Sequence, residues 1–394
     1  MPSLTQAEVA RLRADTPGVS QVMHFNNAGA SLMPRPVIAA MQDYLAFEAI
    51  TGGYEAVAAR SQDIDDFYHV CARLINATPR NIAFTASATD AFGRALSSVP
   101  LQPGDVIVTT DNDYISNQLA FLSFQRRFGV RLLRAEELPE GGVDPDSVRS
   151  LIREHRPQLV SVSHVPTNSG LIQDVEAVGR ICREHEVLYL VDACQSVGQM
   201  PVDVQAIGCD FLSATFRKFL RGPRGAGFLY VSDHVLDVGL EPLLIDMRGA
   251  RWSGRDAYTP SERAHRFEEW EQNYALMMGS RAACCYALDV GLAAIQMRTW
   301  TLADILRDGL KQLHGVEVLD RGREQCAIVT AYFRGRTQDQ LTAQLSGINV
   351  GFSLAQYAVI DFAQKQVPWA LRVAPHYYNT EEEVRILLDR LKEV

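Results

Sequence analysis

Between residues 81 and 232 seven short apolar runs recur along the chain: NIAFTAS, DVIVTTD, VRLLRAEE, QLVSVSHV, VLYLVDA, CDFLSAT and GFLYVS. Each has the length and the β-branched or aromatic content of a strand, whereas the stretches between them, 88–98, 116–128, 147–155 and 174–186, carry helical periodicity. Strands that are apolar throughout must be covered on both faces, and only the intervening helices are placed to cover them. The pattern therefore predicts an α/β chain whose large domain has three layers, with a mostly parallel seven-stranded sheet in the middle. Ligands of such sheets gather beyond the carboxyl ends of the strands, so residues just past a strand end are the first candidates for chemistry.

After residue 250 the pattern changes. RGARWSGRDAYTPSERAHRFEEWEQ is polar, aromatic and irregular, as an active-site loop or a domain joint would be. A long apolar helix is expected over 273–297. From residue 300 the order helix, strand (AIVTAYF), helix, strand (ALRVAP), helix suits a small α+β domain. The expected division is a large domain over 21–265 and a small one formed by 1–20 together with 266–394. Gly52, Gly53 and Tyr54 in ITGGYEA read as a flexible loop facing the substrate.

Charge and cysteine usage narrow the function. With 38 basic and 47 acidic residues the formal charge is −9, so the surface repels polyanions. The one dense basic cluster, Arg217, Lys218, Arg221 and Arg224, is too short for a nucleic-acid face. No basic segment followed by an apolar run opens MPSLTQAEVARLRADTPG, so no signal peptide is expected, and no run is long enough to span a membrane. The 7 cysteines show neither CxxC nor zinc-ligand spacing, so no metal is expected, and they read as reduced thiols of a cytoplasmic protein.

Two titratable residues stand at strand ends. Asp192 closes VLYLVDA, and Lys218 follows CDFLSAT by a short turn, 26 residues later. Adjacent strands would bring the two side by side, with Gln195 on the turn after Asp192. A desolvated lysine near other cations has a lowered pKa and attacks carbonyls. A nearby carboxylate could keep a pyridinium nitrogen protonated, which makes pyridoxal phosphate (PLP) an electron sink. Asp192 could also simply cap a helix.

The segments VDACQSVGQMPVD, FLSATFRKFLRGPRGAG and LRVAPHYYNTEEEV resemble the class V aminotransferase group of fold-type I PLP enzymes, from about residue 22 to the C-terminus. That group includes cysteine desulfurases, isopenicillin N epimerase-like proteins, cysteine C–S lyases and the sulfoxide lyase of ergothioneine biosynthesis. The resemblance implies that Lys218 is the Schiff-base lysine and the base that moves the α-proton. It implies that Asp192 pairs with the pyridinium nitrogen and that Gln195 meets the ring's phenolic oxygen. Ser87, Ala88 and Thr89 fall at a phosphate-binding turn, which Thr215 and Arg217 would complete. Tyr114 stands where the family commonly stacks a histidine on the ring, so stacking is kept and an imidazole acid/base is lost. Arg372 matches the arginine that forks the substrate carboxylate. In PTNSG a one-residue offset leaves Thr167 and Asn168 both open as the residue near the ring oxygen. His164 and His376 are taken as structural. The family also implies a homodimer acting on a small amino acid.

Two departures shape the expected reaction. Desulfurases carry a nucleophilic cysteine shortly before the carboxylate-binding arginine, and NVGFSLAQYAVIDFAQKQVPWALR contains none. The family's FExGT turn, which often lends a threonine to the partner subunit's phosphate, reads FEEWE here, and an anionic Glu271 cannot do that work. The expected activity is β-elimination at a cysteine-derived amino acid. Transamination and epimerisation are alternatives within the family, and a PLP-fold binder without turnover is the alternative outside catalysis.

Overall fold

The computed structural model describes residues 4–392. A seven-stranded sheet runs in the order Ile82–Thr85, Gly227–Val231, Phe211–Thr215, Leu188–Asp192, Leu159–Ser163, Val106–Thr109, Arg131–Arg134. Six strands point the same way, and Gly227–Val231 alone runs antiparallel to its neighbours. All seven predicted strands are present, and in six of them the side chains alternate between two apolar layers, whereas the edge strand Arg131–Arg134 has no fully buried residue. Val108, Val160, Val191 and Leu212 face one layer; Ile107, Leu159, Leu190 and Phe211 face the other. Such two-sided burial explains why the runs are continuously apolar.

The helices on the faces begin where the sequence supplies caps. Ser87 caps Ala88–Ser98, Asp144 followed by Pro145 caps Pro145–His155, and Asp174 caps Val175–Glu184; each side chain accepts a backbone N–H of the first turn. Helix Ile115–Phe128 ends on Gly129 in the left-handed conformation.

A second sheet, wholly antiparallel, runs Val316–Val318, Val329–Phe333, Trp369–Val373, Gly351–Leu354. Helices Leu292–Lys311 and Glu381–Lys392 back it through Leu302, Leu306, Leu387 and Leu391. The N-terminal segment ties the two sheets together. Leu12 packs into the core of the large sheet, Met23–His24 pairs with Ile348–Asn349, and Asn26 bridges to Ala374.

Several sequence expectations change. The helix expected over 273–297 is two helices, Tyr274–Val290 and Leu292–Lys311, broken at Gly291, whose φ is +90°. ITGGYEA is not a loop: Arg35–Thr51 ends at Gly52 and a new helix, Gly53–Ala59, starts at once, leaving Tyr54 on the surface. The 250–260 stretch is an exposed hairpin, Ala250–Gly254 with Ala257–Pro260. The tail also holds a strand and a helix that periodicity did not mark, Gly351–Leu354 and Val359–Lys365. Arg221, a member of the basic cluster, is 1% exposed inside this chain. Its guanidinium donates to Leu32 O, Tyr377 Oη and Thr16 Oγ1 and lies over the rings of Tyr377 and Tyr378. No helix among the described residues is long and apolar enough to cross a membrane.

Candidate active site

Five parallel strands deliver their following residues to one cleft. Ser87, Ala88 and Thr89 come after Ile82–Thr85, Tyr114 after Val106–Thr109, and Val165 and Thr167 after Leu159–Ser163. Asp192, Cys194 and Gln195 end the central strand, and Thr215, Arg217 and Lys218 end its neighbour. The strands carrying Asp192 and Lys218 are adjacent, with Asp192 paired against Ser213, so the chain from Asp192 to Lys218, 26 positions on, closes into a single crossover. Close backbone approach fixes the two turns against each other. A Cβ at Gly198 would stand 2.6 Å from the carbonyl carbon of Phe219 and from the nitrogen of Leu220, so the turn after Gln195 lies directly on the turn after Lys218.

Charge in the cleft is lopsided. Lys218, Arg217 and the nearby Arg372 bring three cations together, and Asp192 is the only carboxylate in the lining. Among the described residues neither arginine has a carboxylate within ion-pair distance. Lys218 is buried, with Nζ 5.8 Å from the centre of the Tyr114 ring. Burial lowers its pKa below the usual lysine value; Cys194 and Asp192 oppose the shift, while Arg217 and Arg372 add to it. Burial, then Arg217, lowers Arg372 to about 10. Buried cations that lack carboxylate partners are costly unless a ligand brings anions. This cleft calls for two, one at each arginine.

The two ends of the cleft differ. At one, the first N–H groups of helix Ala88–Ser98 open beside Thr215 and Arg217, a site suited to a phosphate. The turn comes close because Gly227 has no side chain: a Cβ there would sit 2.6 Å from the carbonyl carbon of Ser87 and 2.7 Å from the nitrogen of Ala88. Thr215 Oγ1 donates to Ala226 O at 3.4 Å, and the Arg217 guanidinium donates to Gly29 O. At the other end Asp192 accepts from Cys194 N and from Asn117 Nδ2, both at 2.9 Å. Asp192 caps no helix, since the residues after it form turns.

Thr167 joins the cofactor side to the substrate side. Its Oγ1 accepts from Gln195 Nε2 at 3.0 Å and from Arg372 Nη1 at 2.8 Å, and Arg372 Nη2 reaches Asn26 Oδ1 at 3.4 Å. Asn168 is buried and lies outside the lining, so the structure brings Thr167 to the cleft and leaves Asn168 behind it. Gln195 Oε1 and Arg372 Nε are buried without partners. A planar pyridine bearing a phosphate, a phenolic oxygen and a protonated nitrogen matches this donor set: an anion site, an amide beside a threonine, and a carboxylate.

Elsewhere, burial drives His164 down to about 4, and the ring of His376 is held by Phe219 O at 2.9 Å. In FEEWE, Glu268 is buried and accepts from Phe84 N, Tyr68 Oη, Arg248 Nε and Gln272 Nε2, while Glu271 stands outside the cleft. Three residues near the site escaped the sequence reading: Cys194 in the wall, and Asp113 and Asn117 behind Asp192. The four-residue spacing of Asp113 and Asn117 around Tyr114, at the start of a helix, was the available signal.

The family model described as Aminotransferase class-V matches residues 23–387. A probable cysteine desulfurase of Methanothermobacter thermautotrophicus is 30% identical over 394 residues, covering 97% of each chain. A probable hercynylcysteine sulfoxide lyase of Mycobacterium tuberculosis is 28% identical, covering 97% of this chain and 92% of that one. Among solved structures, the apo form of a cysteine desulfurase from Thermococcus onnurineus superposes with a TM-score of 0.90 at 27% identity, over 100% of this chain and 99% of that one.

Proposed function

This chain belongs to the aminotransferase class V family, whose enzymes work with PLP, and on that premise we propose that it is a lyase that breaks the C–S bond of a cysteine-derived amino acid by β-elimination. The observation that carries the reading is the absence of a usable thiol near Arg372. From Asn349 to Leu371 the chain holds no cysteine. Cys326 is fully buried, and burial pushes its thiol up to about 12. Cys194 is also pushed up, by burial first and then by the charge of Asp192. A desulfurase needs a reactive thiolate to receive sulfur, whereas in a lyase the sulfur leaves with its own substituent. The similarity to a protein named as a sulfoxide lyase supports the same reading.

Bound PLP supplies an electron sink that acidifies the α-hydrogen of an attached amino acid. Lys218 Nζ, biased toward the neutral amine by burial, would hold the cofactor and serve as the base for the α-proton. Asp192 would hold the proton on the ring nitrogen, and Gln195 with Thr167 would meet the phenolic oxygen. Ser87, Ala88, Thr89, Thr215 and Arg217 would take the phosphate, Tyr114 would cover the ring, and Arg372 would hold the substrate carboxylate. The electron pair of the Cα–H bond becomes the Cα=Cβ bond, and the Cβ–S pair leaves on sulfur. Hydrolysis of the released enamine gives pyruvate and ammonia.

The test is incubation of purified holoenzyme with an S-alkylcysteine and its sulfoxide, with pyruvate and ammonia expected in equal amounts. Alanine and persulfide from free cysteine would make it a desulfurase. An α-keto acid that keeps its side chain would make it a transaminase, and inversion at Cα an epimerase. Failure to take up PLP would leave no catalytic reading.

The chain is further proposed to work as a homodimer. Leu243, Leu244 and Met247 are 69%, 81% and 66% exposed, an apolar group beside the outer side of helix Ala88–Ser98. Sedimentation should give a dimer, and Leu244→Asp should shift it toward monomer.

A further inference from the structure

The carboxylate at Asp192 is not alone. Asn117, on the helix Ile115–Phe128, places Nδ2 2.9 Å from Asp192 Oδ2 and 3.1 Å from Asp113 Oδ1. Both neighbours are acceptors, so the amide must present its nitrogen, and its two hydrogens are both used. Asp113 is itself enclosed: Tyr114 N reaches Oδ1 at 2.6 Å, Ser163 Oγ donates to the same oxygen, and Thr109 Oγ1 and Gln118 Nε2 donate to Oδ2 at 3.3 and 3.2 Å. Burial first, and the charge of Asp192 after Ser163's opposing bond, raise its pKa above the usual carboxylate value; the donors Ser163, Asn117 and Tyr114 pull the other way.

Two buried carboxylates thus converge on one amide. The five donors around Asp113 suit a carboxylate, since an amide at 113 would turn a donor toward Thr109 and Gln118, yet like charges in a buried site are costly unless a cation answers them. The cation available on the cleft side of Asp192, besides Lys218, is the protonated ring nitrogen of the proposed cofactor.

We infer that Asp113 and Asn117 are positioning residues for Asp192: they fix its carboxylate and back it with a second negative charge, and so set how strongly the ring nitrogen holds its proton. The inference rests on the assignment of Asp192 above. Neither residue touches the cofactor. Both act through Asp192, Asn117 by direction and Asp113 by charge.

The test compares the affinity of the apo-protein for PLP and for an analogue with CH in place of the ring nitrogen. Wild type should prefer PLP, because only PLP offers N–H⁺ to Asp192. Asn117→Ala should cut that preference about tenfold, the worth of roughly one hydrogen bond to a charged group, and Asp113→Asn, which keeps the volume and removes the charge, should cut it in the same direction. Loss of affinity for both ligands alike, with the preference unchanged, would make the pair structural and overturn the inference. If Asn117→Ala does not fold, Asp113→Asn decides by the same ratio. A wild type with no preference would instead refute the assignment of Asp192, and the inference with it.

Discussion

The phosphate turn exists only if nothing stands between Ser87 and strand Gly227–Val231, so Gly227→Ala tests the site at its tightest point. The added methyl would lie 2.6 Å from the carbonyl carbon of Ser87, 2.7 Å from Ala88 N and 2.9 Å from Ala214 O. Against an ordinary carbon contact of about 3.5 Å these are overlaps of roughly 0.6–0.9 Å. The strand cannot slide away, because Gly227 is paired with Thr85 on one side and Thr215 on the other. Relief must come from the turn itself, at an overpacking cost of about 2 kcal/mol for the apo-protein. Moving the turn also spoils the anion site. Ligand at 100 times its Kd contributes about 2.7 kcal/mol to stability, and a hundredfold loss of affinity removes about 2.3 kcal/mol of that. Urea unfolding with and without PLP, together with a PLP titration, separates the two effects. Gly93→Ala is the control, since a Cβ there meets nothing within 4 Å on the same helix; it should be neutral or mildly stabilising. An apo-protein as stable as wild type would refute the close approach. A destabilised apo-protein with unchanged PLP affinity would refute the phosphate assignment.

Arg372→Lys should raise KM for the amino acid about 10- to 100-fold and leave PLP affinity unchanged, because a point charge cannot reproduce a fork held by Thr167 and Asn26; initial-rate kinetics and a PLP titration check both halves. Lys218→Met should abolish covalent labelling by borohydride in the presence of PLP. It should also stabilise the apo-protein at neutral pH: the folded lysine pKa lies below that of the unfolded chain, so the unfolded state binds more protons and wild-type stability rises with pH up to about 10.4, where the gap between the two proteins should close. Arg221→Met strands Leu32 O, Tyr377 Oη and Thr16 Oγ1 and should cost about 3 kcal/mol in urea unfolding, from a side chain outside the lining of the cleft.

The parts of this molecule that could be read from its sequence are those where one physical demand governs a whole segment. A strand buried on both faces has to be apolar at nearly every position, and six of the seven strands of the large sheet announce themselves in that way, while the edge strand Arg131–Arg134 is marked only by its two leucines. The edge strand Gly351–Leu354 is buried only at alternate positions and four residues long, so its pattern does not stand out from a loop. Gly291 interrupts two helices that share apolar periodicity, and a single glycine costs only about 1 kcal/mol in a helix, too weak a mark to place a break. In ITGGYEA the same weakness misleads in the opposite direction, since glycine is tolerated at the start of Gly53–Ala59.

The site divides along the same line. Asp192 and Lys218 are legible because strand ends of a parallel sheet converge, a rule that needs no coordinates. Asp113 and Asn117 are not, because DNDYISN reads as an ordinary polar turn until the helix after it brings the amide to Asp192. The offset in PTNSG has the same cause: only the reach of Arg372 from the second sheet picks Thr167 over Asn168. Residues that line the cleft can be found from the sheet, whereas residues that hold those residues depend on which helix lies behind the strand. Substrate choice belongs to the second kind. It will be set around Thr167, Asn26 and Arg372, where the N-terminal segment, the central sheet and the C-terminal sheet meet, and substitutions that change the sulfur substituent accepted should cluster at that junction rather than around Asp192.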